Sequence, residues 1–254
     1  MKWMRCRHDG RECFGLLEGA QLAVHEGDLF EAPRATGERI PIDGVQWLPP
    51  CRPAKMLALW NNFHAAAAKN GWAVPAEPLY FLKAPNSLGA HQQPIAAPPA
   101  EVGRVAYEGE LAIVIGRRAK DITRAQAPAH IFGYTCANDL TAIELLQRDP
   151  AFAQWTRAKG FDGFGVLGPV IETVFDPSAA RLRTLVGGRE RQNYPLSDMI
   201  FAPHELVARL SHDMTLEPGD VILCGTSLGV LPMKPGSLVE VEIDGIGRLA
   251  SAYG

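Results

Sequence analysis

Glu108 and Glu110 stand two residues apart in Tyr107-Glu108-Gly109-Glu110-Leu111, directly before the apolar run Leu111-Ala112-Ile113-Val114-Ile115. That run is rich in β-branched residues and stops at Gly116, which predicts a strand. Residues two apart on a strand point to one face. The two carboxylates would therefore converge at the edge of an apolar sheet, where like charges repel unless a cation or protons compensate. A third carboxylate, Asp139, ends the turn-bounded segment Gly133-Tyr134-Thr135-Cys136-Ala137-Asn138. Three hard oxygen donors from two strand ends suit Mg²⁺ or Mn²⁺, with positions left for water and substrate. By spacing alone the same residues also fit a solvated strand edge and an Asn-Asp turn or helix cap.

Several elements must carry these groups. Lys55–Leu59 and Leu79–Lys83 read as strands, and the alanine-rich stretch from His64 to Asn70 as a helix ending at Gly71. Thr141 to Gln147 fits one or two helical turns, with Thr141 as N-cap and Glu144 at the capping-box spacing. Leu182–Gln192 predicts a hairpin turning at Gly187-Gly188, Pro203–Leu210 a helix, and 218–224 and 238–243 strands, the latter followed by a turn at Asp244-Gly245. Before these, Phe14–Val24 reads as two short strands around a Glu-Gly turn. The proline-rich connector Trp47–Pro53 is a boundary between a small N-terminal β unit, 1–50, and a main domain, 51–254. Many short strands, few helices and frequent Gly and Pro turns predict an α+β, mainly β architecture.

Composition narrows the functional classes. A chain of 254 residues with 47% hydrophobic and 21% charged content can bury a large core. A net charge of −3 gives no electrostatic ground for nucleic acid or an acidic membrane as partner. The five cysteines are scattered and lack CxxC spacing. They read as reduced thiols rather than a disulfide framework or zinc site, and with no apolar run near a membrane span the expectation is a cytoplasmic protein.

Glu108-Gly109-Glu110-Leu111, Gly133–Asp139, Lys159-Gly160-Phe161-Asp162-Gly163-Phe164, Gly168-Pro169, Leu216–Ile222 and Gly225-Thr226-Ser227-Leu228-Gly229-Val230 occur in this order. Together they resemble the fumarylacetoacetate hydrolase family over roughly residues 55 to 250. The resemblance implies a mixed β-sheet roll, a homodimer, and one Mg²⁺ per active site, with Mn²⁺ or Ca²⁺ as alternatives. It implies chemistry on small 2-oxo acids or their enols, and the N-terminal unit is similar to the small extra domain of many bacterial members. Residue by residue, Glu108, Glu110 and Asp139 match the metal carboxylates and Lys159 the active-site lysine. Thr226, beside Gly225 in a Gly-Thr-Ser-Leu-Gly loop, matches a threonine that contacts the substrate carboxylate. Lys83 matches a lysine in the lining near the metal, and with Thr226 and Gly225, whose lack of a side chain allows close backbone approach to a substrate carboxylate, it is expected to bind substrate.

Two departures bear on the reaction. Hydrolytic members resemble Asn-Tyr-x-x-His-x-x-Glu in a lid region; here Trp60–Ala67 keeps His64 but has Ala67 in place of the glutamate. After Asn138-Asp139 the common Ser/Thr-Ala-Arg-Asp is Thr141-Ala142-Ile143-Glu144, without the arginine. His64 stays a candidate general base that lacks its orienting carboxylate, within a lid from Asn61 to about Asn70 that would close over the metal. The absent glutamate favours isomerase or decarboxylase chemistry in the breakdown of aromatic compounds. Hydrolysis of an acylpyruvate-type C–C bond is the near alternative, and a non-catalytic, metal-stabilised binding protein the alternative of another class. A closed, protein-only shell around the metal would favour the last; a site facing a cleft would favour an enzyme.

Overall fold

The computed structural model describes residues 1–254. Strands dominate, because apolar and β-branched runs are cut short every few residues by Gly, Pro and Asp turns. The N-terminal strands are β1 (Lys2–His8), β2 (Arg11–Glu18), β3 (Gln21–Glu26) and β4 (Arg34–Pro41). They are followed by β5 (Met56–Trp60), helix α1 (His64–Asn70), β6 (Leu79–Lys83), β7 (Gly109–Ile115) and β8 (Ile131–Asp139). Two short helices, α2 (Ile143–Leu146) and α3 (Trp155–Lys159), precede β9 (Gly165–Glu172). The hairpin β10 (Arg181–Val186) and β11 (Arg189–Pro195), helix α4 (Pro203–Asp213), β12 (Val221–Leu223), β13 (Ser237–Ile243) and β14 (Gly247–Tyr253) complete the chain.

A twelve-stranded mixed sheet runs in the order β4-β3-β2-β1-β9-β8-β7-β12-β5-β6, with two short strands, Gln46–Leu48 and Leu88–Ala90, beside this path. The pairing of β12 with β5 is parallel, so these two buried strands end at the same side of the sheet. A second sheet, β11-β10-β13-β14, packs across β7, β8 and β9. Strand β7 is buried along its whole length. Its alternate residues enter two different clusters: Leu111, Ile113 and Ile115 join the main core, Ala112 and Val114 the smaller one on the opposite face. A strand covered on both sides reads as a continuous apolar run rather than an alternating one.

The N-terminal unit is built into the main sheet. Strand β1 pairs antiparallel with β9 through Lys2↔Glu172 and Trp3↔Ile171. Trp3 belongs to the same cluster as Ala112, Ala137 and Leu167, and Phe14 and Phe30 pack against it. Residues 1–50 thus cap one edge of β9 and cover the second face of β7 and β8. The one element that departs in kind from the sequence expectation is the segment after Asp139. Thr141 does not cap a helix: it lies in a two-residue strand with Ala142, and α2 starts at Ile143 with no side-chain cap. Glu144 pairs with Arg104 instead of closing a capping box.

Removal of residues 1–50 should therefore expose the edge of β9 and the apolar face above β7. The expected result is a fall in Tm of at least about 10 °C, with aggregation visible by light scattering. A truncated chain that melts with the full-length protein would contradict this account of the sheet.

Candidate metal centre and its cavity

The three carboxylates meet where β7 begins and β8 ends. The register Gly109↔Asn138 places the two strand ends side by side, and the amide of Asp139 donates to the carbonyl of Glu108 at 2.9 Å. One ligand oxygen from each of Glu108, Glu110 and Asp139 lies within 4.8 Å of the others. Glu110 and Asp139 are sealed from solvent, whereas Glu108 keeps partial exposure.

Two lysines answer this charge. Lys159, at the end of α3, donates to Glu108 Oε2 at 2.9 Å and to Asp139 Oδ2 at 2.7 Å. Lys83, at the end of β6, donates to Asp139 Oδ1 at 2.6 Å and to the carbonyl of Lys159 at 2.7 Å. Burial opposes the charged form of Lys159, but Asp139, Glu108 and Glu110 outweigh it and hold the ammonium above its ordinary pKa. For Lys83 burial wins, and its pKa is lowered despite Asp139. Burial would raise Asp139, yet the two ammonium groups bring it below its ordinary value. Glu110 receives no ammonium of its own. Burial, then the charge of Asp139, pushes it well above the ordinary carboxylate range.

The backbone and neutral side chains do the rest. The amide of Gly225 donates to Glu110 Oε2 at 2.7 Å. Gly225 sits at a φ of 86°, and a Cβ there would lie 3.2 Å from both the Asn62 side chain and the Leu59 carbonyl. The Thr141 hydroxyl donates to Glu108 Oε1, and Asn138 Oδ1 accepts from the Glu108 amide at 3.1 Å. Glu110 Oε1 is buried with no partner at all. Three carboxylates against two ammonium groups leave one negative charge in excess and one orphaned oxygen. That is the environment a divalent cation completes. The donor set is all oxygen, as hard cations require, and oxygens on opposite sides of such an ion stand about 4–5 Å apart, so the cluster fits Mg²⁺, Mn²⁺ or Ca²⁺.

The cluster opens on its Glu108 side into a cavity of about 550 Å³. Lys159, Thr141 and Thr226 line it beside Glu108, with Trp60, Trp72, Phe81 and Trp155 further along. Thr226 donates to the carbonyl of Gly109 at 2.9 Å and accepts from Gln192 Nε2 at 2.8 Å. The predicted site residues divide accordingly. Glu108, Glu110, Asp139, Lys159, Lys83 and Gly225 form one connected network, and Thr226 flanks it. Lys83 lies behind Asp139 and outside the cavity lining, and Gly225 serves Glu110 through its amide. His64 is not brought to the cluster: it is exposed at the start of α1 and outside the lining. Ala67 is buried and outside the lining, while Ala66, Lys69 and Asn70 present α1 to the cavity. The helix is tied at its N-terminus by the Ala65 amide donating to Asp198 at 3.0 Å.

The chain matches the family model "Fumarylacetoacetate (FAA) hydrolase C-terminal" over residues 55–252 and "Rv2993c-like, N-terminal" over 1–50. It belongs to the fumarylacetoacetate hydrolase family. It is 38% identical over 199 residues to the 4-hydroxyphenylacetate degradation bifunctional isomerase/decarboxylase of Salmonella dublin, a match covering 77% of this chain and 46% of that protein. The crystal structure of 2-hydroxyhepta-2,4-diene-1,7-dioate isomerase from Mycobacterium marinum superposes with a TM-score of 0.91 at 37% identity, covering 100% of this chain and 98% of the other. Maleylpyruvate hydrolase from Sphingobium sp. SYK-6, in complex with manganese(II) ion and pyruvate, gives 0.82 at 25% identity, covering 100% and 98%. The family thus spans isomerase, decarboxylase and hydrolase activities.

Sequence reading missed the supports around this family's carboxylates. Thr141 has the spacing of a cap, Gln192 ends the expected hairpin, and Tyr194 lies beyond it. Yet Gln192 Oε1 accepts from the Gly109 amide at 3.0 Å, and Tyr194 donates to the Gly109 carbonyl at 2.6 Å. In the sequence Gln192 is one polar residue among Arg189, Glu190, Arg191 and Asn193, and only the fold shows that it alone of these is buried. Glu110→Gln should separate the metal from the fold. Burial already pushes the metal-free Glu110 carboxyl toward its neutral form, which the amide imitates, so the metal-free variant should melt no lower than metal-free wild type, while the rise in Tm on adding Mg²⁺ or Mn²⁺ should vanish. A variant that keeps the metal-dependent rise would remove Glu110 from the ligand set.

Proposed function

We propose that this protein is a divalent-metal-dependent isomerase or decarboxylase of a 2-oxo acid or its enol, acting in the breakdown of aromatic compounds. The observation that carries the reading is the composition of the cavity wall at the acid cluster: an ammonium group held charged beside Glu108, and no histidine or arginine anywhere in the lining. When bound by Glu108, Glu110 and Asp139, a divalent ion supplies Lewis-acid stabilisation of negative charge on the substrate's oxygens. Lys159 adds fixed positive charge beside the same oxygens. With its pKa raised by three carboxylates it is a poor base and a durable electrostatic partner. Thr226 stands at the cavity wall and orients the substrate carboxylate if its hydroxyl proton turns to it from the Gly109 carbonyl, and the aromatic wall limits water.

Such a site favours reactions whose main demand is to hold the electron pair released into an enolate. In decarboxylation the C–CO₂⁻ bond breaks, CO₂ leaves and the carbon is later protonated. In tautomerisation a proton moves from oxygen to carbon. Hydrolysis needs in addition a base aimed at water, and Glu108, the one carboxylate facing the cavity, is committed to the cluster. The exposed His64 is given no step. The isomerase/decarboxylase relatives support this reading, and the manganese and pyruvate held by the maleylpyruvate hydrolase support a divalent ion and a 2-oxo acid headgroup. Homodimerisation belongs to the same reading; Leu79 and Leu82 are exposed on the edge strand β6, and light scattering reads the oligomer directly.

The test compares oxaloacetate decarboxylation, enol ketonisation and acylpyruvate cleavage with Mg²⁺ and Mn²⁺. The first two should be the faster. Acylpyruvate cleavage as the dominant activity would establish the hydrolase alternative, and metal-dependent ligand binding without turnover would establish the binding protein. Lys159→Met should lower kcat by about 10²–10⁴-fold without weakening metal binding, since it removes a cation that shares Glu108 and Asp139 with the metal. Wild-type turnover in this variant would refute the role given to Lys159.

A further inference from the structure

Lys159 is the first member of a series of stacked side chains that runs away from the acid cluster. Its ammonium lies 5.4 Å from the centre of the Phe81 ring. Phe81 stacks on Trp155 with centroids 4.8 Å apart and planes at 20°. Trp155 is 6.3 Å from Trp60, and Trp60 is 5.0 Å from Trp72. All four rings line the same cavity as Glu108 and Lys159. Three of the five tryptophans in the chain are therefore spent on one wall.

The local structure builds this wall deliberately. Trp155 and Lys159 lie four residues apart on α3 and so share a face of the helix. Trp72 is placed by the end of α1, where Gly71 adopts a φ of 68° and the Trp72 amide returns to the carbonyl of Ala67 at 2.9 Å. Trp72 is not core filler, because 40% of it is exposed. A large ring left open to solvent at a cavity mouth, in line with three others leading inward, is a surface awaiting a partner. The volume of about 550 Å³ also lies well within the range of pockets for ligands much larger than pyruvate.

We infer that the substrate is an aryl-bearing 2-oxo acid, its headgroup at Glu108 and Lys159 and its aromatic ring packed along Trp155, Trp60 and Trp72. The inference rests on the function proposed above and names the tail that function leaves open. Aromatic rings prefer aromatic neighbours in offset or edge-on contact beyond what buried area alone gives, so the wall selects a flat ring over a saturated one of equal size.

The experiment uses the Mn²⁺-loaded protein and three inert ligands with one headgroup: oxamate, N-phenyloxamate and N-cyclohexyloxamate, measured by calorimetry. N-phenyloxamate should bind about ten-fold or more tighter than oxamate, with N-cyclohexyloxamate between them. Trp155→Leu should bring N-phenyloxamate to within about two-fold of that variant's own oxamate affinity, with circular dichroism reporting that the variant is folded. Trp72→Leu, at an exposed position, should lose part of the gain. Oxamate binding with no gain from the phenyl group, an equal gain from the cyclohexyl group, or a gain untouched by both substitutions would overturn the aryl assignment. Absence of oxamate binding to the wild-type protein would instead overturn the 2-oxo acid reading, and this inference with it.

Discussion

The structure is organised around a buried charge imbalance. Glu108, Glu110 and Asp139 face Lys159 and Lys83, and all of the five but Glu108 sit where water cannot screen them. In such a place a carboxylate is tolerated only when every lone pair has a partner or the proton stays on. Asp139 meets the first condition through two ammonium groups. Glu110 meets it by half, with one oxygen on the Gly225 amide and the other empty. A native fold does not commonly keep such an oxygen, and where it does, function is the usual reason.

Holding the cluster requires elements from distant parts of the chain to meet at one place. Gly109 shows how this is done. It separates the two glutamates, and both of its polar atoms are held by β11, the amide by Gln192 and the carbonyl by Tyr194, with Thr226 as a second donor to the carbonyl. A Cβ at this position would lie 2.1 Å from the Thr184 hydroxyl on β10. The second sheet thus presses directly on the backbone between the ligands, and only glycine lets it do so. The same contact leaves Thr226 between Gln192 and the Gly109 carbonyl. The packing of one sheet on the other and the aim of the carboxylates are a single constraint.

This explains which parts of the molecule can be read from sequence. Signals that are local and periodic survive: the strand after Glu110, helix α1 with its glycine stop, the Gly187-Gly188 hairpin, α4, and the ordered motifs that resemble the family. Signals that depend on a partner far along the chain do not. Thr141 has the type and spacing of a cap, but the Glu108 carboxylate is the stronger acceptor and takes its hydroxyl. Lys83 looks like a group facing substrate, yet Asp139 holds it behind the cluster. The proline-rich connector before Lys55 marks a change of sequence character, but β1 still crosses it to pair with β9. The aromatic wall joins residues 60, 72, 81 and 155, and no single window of sequence contains it.

The exposure of the three carboxylates is uneven, as the proposed enzyme needs and a purely structural metal site would not. A metal site that only staples strands together closes on all sides with protein ligands. Here Glu110 and Asp139 are sealed at the back, braced by Gly225, Lys83 and Lys159, while Glu108 stands at the cavity wall with Thr141 and Lys159 around it. Protein donors converge from one side only, and the other side is cavity. A divalent ion held by these carboxylates would be reached by substrate from the cavity side, where Thr226 and the tryptophans lie. Open positions on a hard cation, a fixed ammonium beside them and an apolar chamber in front are the arrangement in which an enolate is more stable than it is in water. A staple would gain nothing from any of the three.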